Sequence, residues 1–117
     1  MYWGEFKNGT FDGYGEYSWK DGRIYKGFFK EDKQNGIGLF KYANQDKFYL
    51  GFFSNNIKEG IGCIIQKNIV KYGLWSSGQK KKSYTNKSEA LRFVSKEQAA
   101  FIKFFIDSKL TLKNSIF

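Results

Sequence analysis

The 117-residue chain contains no histidine, no proline and a single cysteine, Cys63. Without histidine, neither a Ser-His-Asp nor a Cys-His catalytic arrangement can be assembled. One cysteine gives no intrachain disulfide, and with no histidine beside it no zinc site of the Cys/His kind; neither a metal nor a cofactor is expected. The longest purely apolar runs are about four residues, far short of the ~20 that cross a bilayer as a helix. No secretory leader is visible, and the expected location is cytoplasmic. Thirteen glycines without a proline point to tight turns and bulges needing positive φ, not to an extended linker.

What the chain has in quantity is rings. Thirteen Phe, eight Tyr and three Trp make up 21 % of it, which is material for a core and argues against disorder. The formal charge of +9 is unevenly placed. Residues 1–74 carry 11 Lys/Arg against 8 Asp/Glu, and residues 75–117 carry 9 against 3. A basic C-terminal third can attract acidic partners, anionic lipid or nucleic acid; a Lys-, Asn- and Ile-rich composition also arises without any such role.

Internal repetition organises the first two thirds of the chain. Tyr2-Trp3-Gly4-Glu5-Phe6 recurs as Tyr25-Lys26-Gly27-Phe28-Phe29 and as Tyr49-Leu50-Gly51-Phe52-Phe53, with a weaker copy at Lys71-Tyr72-Gly73-Leu74-Trp75. A G-x-G element begins eleven residues after each of the first three: Gly13-Tyr14-Gly15, Gly36-Ile37-Gly38 and Gly60-Ile61-Gly62. Rings and glycines alternating at period two read as strands. Asn8-Gly9, Ser77-Gly78 and Lys20-Asp21-Gly22-Arg23 read as hairpin turns. Glycine beside a ring leaves room for that ring to lie over the backbone. The G-x-G lacks the third glycine and the strand-then-helix setting of a dinucleotide fingerprint.

These residues resemble the MORN repeat (membrane occupation and recognition nexus). The match is nearly complete in the first copy, through Tyr2, Gly4, Phe6, Gly13, Gly15, Tyr17, Trp19, Asp21 and Gly22. It is good in the second, although Asp46 is followed by Lys47. In the third, Ile64 and Gln66 stand where the second-strand aromatics belong, and the fourth reads as ending after one strand. The resemblance implies a mainly β fold: a single-layer twisted antiparallel sheet of tandem hairpins, about seven strands, with a C-terminal α-helical tail. The expected organisation is a repeat array over 1–78, a basic linker with a short helical turn over 79–94, and an apolar helix and tail over 95–117.

The face opposite the rings grows more apolar along the chain. It carries Trp3, Glu5, Tyr14, Glu16 and Ser18 in the first copy, but Leu50, Phe52, Ile61, Cys63 and Ile65 in the third, followed by Tyr72 and Leu74. A sheet apolar on both faces needs cover on both. Ser88 to Val94 reads as a helical turn, and Ser95 with Gln98 as a capping box. Lys96 to Lys109 reads as a largely apolar helix that packs on the end of the array or engages another chain. At the other end, the edge of the first strand reads as open for pairing.

The resemblance also implies a non-enzymatic scaffold in a cytoskeletal or ciliary assembly, of the kind common in protists, with a helix or peptide of a partner held on the aromatic face. The candidate contacts are Tyr2, Phe6, Tyr17, Trp19, Tyr25, Phe29, Phe40, Tyr42, Tyr49 and Phe53. The repeat-defining glycines are Gly4, Gly13, Gly15, Gly27, Gly36, Gly38, Gly51, Gly60, Gly62 and Gly73. A rival reading is a peripheral membrane or phosphoinositide module, in which Lys80, Lys81, Lys82, Lys87 and Arg92 meet anionic lipid. Nucleic acid has only the net charge in its favour, with no base-reading element visible. Carboxylates such as Asp12, Glu16 and Asp21 fall at turns or on a solvated face, and no catalytic domain fits in the remaining length.

Overall fold

The computed structural model describes residues 1–92 together with Ser95, Lys96 and Ala99. Eight strands run in chain order: β1 (Tyr2–Lys7), β2 (Thr10–Ser18), β3 (Ile24–Lys30), β4 (Lys33–Lys41), β5 (Lys47–Ser54), β6 (Ile57–Gln66), β7 (Ile69–Ser76) and β8 (Gln79–Tyr84). Each pairs antiparallel with its sequence neighbours in one open sheet. A short helix, α1 (Lys87–Leu91), follows.

The turns dictate this order. Asn8-Gly9, Glu31-Asp32, Asn55-Asn56, Lys67-Asn68 and Ser77-Gly78 each place two successive residues at positive φ, the backbone of a two-residue type I′ turn whose twist matches that of the strands. Longer links join β2 to β3 and β4 to β5. In the first, the Asp21 carboxylate accepts from the Arg23 backbone N–H at 3.0 Å and from its Nε at 2.8 Å. Those bonds, the backbone one foremost, hold the Asp21 carboxyl below its ordinary value.

Turns also tie neighbouring repeats together. The Phe11 N–H donates to Asp32 Oδ1 at 2.7 Å, and the Asp32 N–H donates to the Phe11 carbonyl at 3.0 Å. Asn56 makes the same pair of bonds with Gln34, at 2.8 and 3.0 Å. At the third such place Gly78 has no side chain to offer. Its N–H reaches the Lys58 carbonyl at 3.1 Å, and the Ser77 N–H goes instead to Glu59 Oε2.

Inside each of the first three hairpins the register steps. Glu5 stands alone opposite Asp12, Gly13 and Tyr14; Phe28 stands opposite Asn35, Gly36 and Ile37; Phe52 stands opposite Glu59, Gly60 and Ile61. The middle glycine of each bulge has φ near +100°, from +93° at Gly13 to +103° at Gly60, a conformation that a side chain resists. The bulge interrupts the ladder opposite the lone residue. That residue's carbonyl accepts from the tyrosine three positions earlier: Tyr2 to Glu5 at 2.6 Å, Tyr25 to Phe28 at 2.9 Å and Tyr49 to Phe52 at 3.1 Å.

To reach that carbonyl, each tyrosine ring lies flat across a cross-strand glycine pair. The pairs are Gly4↔Gly15, Gly27↔Gly38 and Gly51↔Gly62. A Cβ on Gly38 would fall 2.4 Å from Tyr25 Cε1 and Oη, and one on Gly27 would fall 2.5 Å from the Gly38 Cα. The glycines are there so that a ring can occupy the space of two missing side chains.

The fourth hairpin corrects the sequence reading. Residues 79–84, including Lys80, Lys81 and Lys82, do not form a linker; they are the second strand of that hairpin, which makes the expected array of about seven strands one of eight. Lysine is a poor strand former, but the Ser77-Gly78 turn delivers the segment to the free edge of β7. Lys71 stands where the tyrosine should be, and the Lys80 stem takes the space over Gly73, where a Cβ would meet its Cε at 2.6 Å.

α1 begins at Lys87, one residue before the expected Ser88. Asn86 caps it, its side chain accepting the Glu89 N–H at 2.9 Å. The Glu89 carboxylate accepts in turn from the Thr85 N–H at 3.1 Å and from its hydroxyl, which ties the residue before the cap to the first turn. Beyond α1, the Ala99 N–H donates to the Ser95 carbonyl at 2.8 Å. The rest of the apolar helix expected over Lys96 to Lys109, and the Ser95–Gln98 capping box, lie outside the described residues.

Candidate functional site: the aromatic trough

The sheet has two different faces. On one, Tyr25, Phe29, Tyr49, Phe53 and Trp75 are buried, with Tyr2, Phe11, Tyr17, Trp19, Phe40, Tyr42 and Ile64 packed around them. The rings meet mainly edge to face, as in Tyr25–Phe53 at 5.2 Å and 89°, Tyr49–Phe53 at 5.3 Å and Tyr49–Trp75 at 5.0 Å. This geometry puts ring edges on ring faces and adds about 0.5–1.5 kcal/mol per pair beyond simple burial.

Burial divides the ten candidate contact residues. Tyr25 and Tyr49 are 0 % exposed, and Phe29 and Phe53 only 6 %; these four are the floor, of which Phe29 and Phe53 line the trough itself and Tyr25 and Tyr49 lie beneath. Burial pushes the hydroxyls of Tyr25 and Tyr49 well above the ordinary tyrosine value. Tyr2, Tyr17, Trp19, Phe40 and Tyr42 are half-buried, and Phe6 is exposed. A trough of about 630 Å³ runs over the floor, lined by Phe11, Tyr17, Trp19, Phe40 and Tyr42, with Asp32, Gln34, Asn56 and Lys58 at its turn side and Arg23 at the other.

Cations already rest on these rings. The Arg23 guanidinium carbon lies 4.8 Å from the Trp19 ring centre, and Lys47 Nζ lies 4.7 Å from that of Tyr42. Lys58 Nζ is 4.9 Å from both Tyr42 and Tyr49 and donates to the Tyr42 hydroxyl. Such contacts fix ring orientation, and the edge of the trough carries both signs, with Asp32 beside Lys58 and Arg23 paired to Asp21.

Sequence reasoning missed Phe11, which stacks on Tyr2 with ring centres 3.7 Å apart and planes 4° apart. Period-two alternation back from Tyr17, Gly15 and Gly13 places Phe11 on the same face. The matching positions hold Gln34 and Lys58, however, so no repeat of the ring drew notice. That variable position gives each repeat its own side chain in the trough.

A second depression, about 780 Å³, follows the first two bulges. Backbone and charges of both signs (Lys7, Asp12, Lys30, Glu31) line most of it, with Phe28 and Phe29 its only rings. The trough offers more ring surface. Of the basic residues proposed for lipid, Lys80 and Lys82 leave on opposite faces, while Lys82 and Arg92 both lie near Glu89. Lys81 is a single-residue bulge between the Leu74↔Lys82 and Trp75↔Lys80 pairs, so its neighbours leave on opposite faces. Lys80 lies over Trp75 at 5.7 Å and Lys82 over Tyr84 at 5.3 Å. Lys87 and Arg92 belong to α1 and its C-cap. Among the described residues no three of His, Cys, Asp and Glu gather as a metal site, and no helix is long and apolar enough to cross a membrane.

An uninterrupted sheet of four hairpins, the first three built from a tyrosine over a glycine pair and tied to one another by the Asp32 and Asn56 turn side chains, defines a β-hairpin repeat array. The MORN repeat model matches three consecutive stretches, residues 2–22, 25–47 and 49–68. The chain belongs to the MORN-repeat family, a non-catalytic repeat module. Comparison with curated proteins gave no match. The fourth hairpin, β7–β8, lies beyond the matched stretches and is recognised by its register.

Proposed function

We propose that this chain is a non-enzymatic scaffold that holds a segment of a partner protein, as a helix or extended peptide, in the aromatic trough. The observation that carries this reading is the pairing of a rigid buried floor (Tyr25, Phe29, Tyr49, Phe53) with half-exposed rings above it (Phe11, Tyr17, Trp19, Phe40, Tyr42). Rings held in place by their neighbours lose little entropy on binding, and Tyr and Trp are the commonest anchors of interface energy. Lys47 and Lys58 on these rings favour a segment with a carboxylate beside its apolar anchors, whereas Arg23 is already paired with Asp21. The setting we propose, from the family alone, is a cytoskeletal or ciliary multi-protein assembly.

The test uses a photoreactive amino acid at Phe40 in the full chain, with capture from native cells. A defined partner peptide should crosslink there. Its capture should fall at least tenfold, the scale of losing one anchor, in Trp19→Glu and remain unchanged in Lys80→Glu. Crosslinking indifferent to Trp19→Glu would remove the trough from the function.

A further inference from the structure

The opposite face is also buried, and among the described residues α1 is the one element outside the sheet that packs against it. Leu50 and Cys63 are 0 % exposed, and Leu39, Ile65 and Phe48 are also buried, on one side of a single-layer sheet. Packed against them are the sheet's own Ile37, Phe52, Val70 and Tyr72, and one residue from outside the sheet, Leu91 of α1. The adjoining cluster of Ile61 and Tyr84 is closed by Ala90 of the same helix. α1 therefore roofs the β6–β8 end of this face, with Leu91 packed against the cluster. A five-residue helix is too short to roof the whole.

From these contacts we infer that the segment following α1, residues 93–117, is the cover of this face in the same chain. Three observations support it. The chain leaves α1 right after Leu91, which already touches the Leu39–Leu50–Cys63 cluster, so the segment starts at the patch. Its sequence supplies the matching chemistry: Phe93, Val94, Phe101, Ile102, Phe104, Phe105 and Ile106 against only two carboxylates, Glu97 and Asp107. Its length also suffices. The patch spans β4 to β7, about 14 Å at ~4.8 Å per strand, and a helix over Lys96 to Lys109 would reach about 21 Å at 1.5 Å per residue.

Cys63, the sole cysteine and at the centre of the patch, is a built-in reporter. Thiol modification of the full chain at pH 8 should leave Cys63 unreacted while a free thiol reacts to completion. In the full chain carrying Phe101→Asp, Phe104→Asp and Phe105→Asp, labelling should speed up at least about tenfold as the cover opens, with the β-sheet circular dichroism retained. Should that variant not fold, methyl-to-aromatic NOEs in the native chain decide, connecting Leu39 and Leu50 to Phe101, Phe104 or Phe105. Three results would overturn the inference: Cys63 reacting like a free thiol in the native chain, equal protection in the folded variant, or no such NOEs. A fourth is protection lost on dilution of a chain that light scattering shows to be dimeric, which would assign the cover to a second copy.

Discussion

Gly38→Ala is the most economical test of the tyrosine-over-glycine construction. The added methyl would sit 2.4 Å from Tyr25 Cε1 and Oη and 2.6 Å from Cζ, all well inside contact distance. The ring cannot swing away, because Tyr25 is 0 % exposed and wedged edge-on against Phe29 and Phe53 at 5.1 and 5.2 Å. It must slide, which breaks the 2.9 Å bond to the Phe28 carbonyl. Overpacking of this kind costs about 1–3 kcal/mol and the lost hydrogen bond about 1 kcal/mol. The lower entropy of the unfolded alanine chain offsets about 0.4–1 kcal/mol. The net expectation is about 1–4 kcal/mol of destabilisation, read from urea unfolding of the full chain. A double-mutant cycle then isolates the cause. In a Tyr25→Ala background the methyl has no ring to meet, and the cost of Gly38→Ala should fall by more than about 1 kcal/mol. A cost below about 0.5 kcal/mol in the native background, the range of ordinary surface substitutions, would refute the reasoning. So would an unchanged cost in the Tyr25→Ala background.

Three further outcomes follow from the same contacts. Asp32→Ala, which loses the bond to the Phe11 N–H and leaves alanine at φ +70°, should cost about 2 kcal/mol in urea unfolding, whereas Asp32→Asn should be near neutral. The Thr85 bonds hold the Glu89 carboxyl below its ordinary value of 4.5. Their contribution is therefore present above that pH and lost as pH falls through the lowered value; the Thr85 amide resonance should shift across that window and stay put in Glu89→Gln. Tyr25 and Tyr49 ionise only above the ordinary value of 10.0, so above pH 10 the unfolded chain binds fewer protons and stability falls as pH rises. Ultraviolet titration should show two tyrosines ionising only together with loss of the fold.

The fold was legible where one residue type alone satisfies a backbone demand, and obscure where context does. Asn8-Gly9 and Ser77-Gly78 announce type I′ turns, because Asn and Gly accept positive φ. Glu31-Asp32 and Lys67-Asn68 adopt the same turn with first residues that give no such signal. Glu31 and Lys67 are held at φ +50° and +52° by the strands on either side. β8 was hidden for a related reason: three lysines in a row read as solvated linker, and only the pairing partner offered by β7 makes them a strand. In the trough the repeated rings were visible at once, but periodicity could not separate the four that form the floor from those left accessible. That division depends on which ring lies under its neighbours' edges, a property of stacking across strands and not of spacing along one.

The two faces run in opposite senses along the array, and this bears on how the chain can be used. Half-exposed rings concentrate between β2 and β5, where Phe11, Tyr17, Trp19, Phe40 and Tyr42 line the trough. The deepest burial on the other face lies from β4 to β6, at Leu39, Leu50, Cys63 and Ile65. β5 serves both, because Tyr49 and Phe53 project to one side while Phe48 and Leu50 project to the other. Alternation at period two lets one strand belong to two cores without either side chain touching the other. Distant, unshared contacts act nearly independently, so Trp19→Glu in the trough should leave the protection of Cys63 within about 0.5 kcal/mol of the native chain. Substitutions at Gly51, whose missing side chain makes room for Tyr49 on that shared strand, should disturb both faces at once. Thiol labelling of Cys63 in Gly51→Ala beside Trp19→Glu checks this. Equal labelling of the two variants would mean that β5 does not couple the faces.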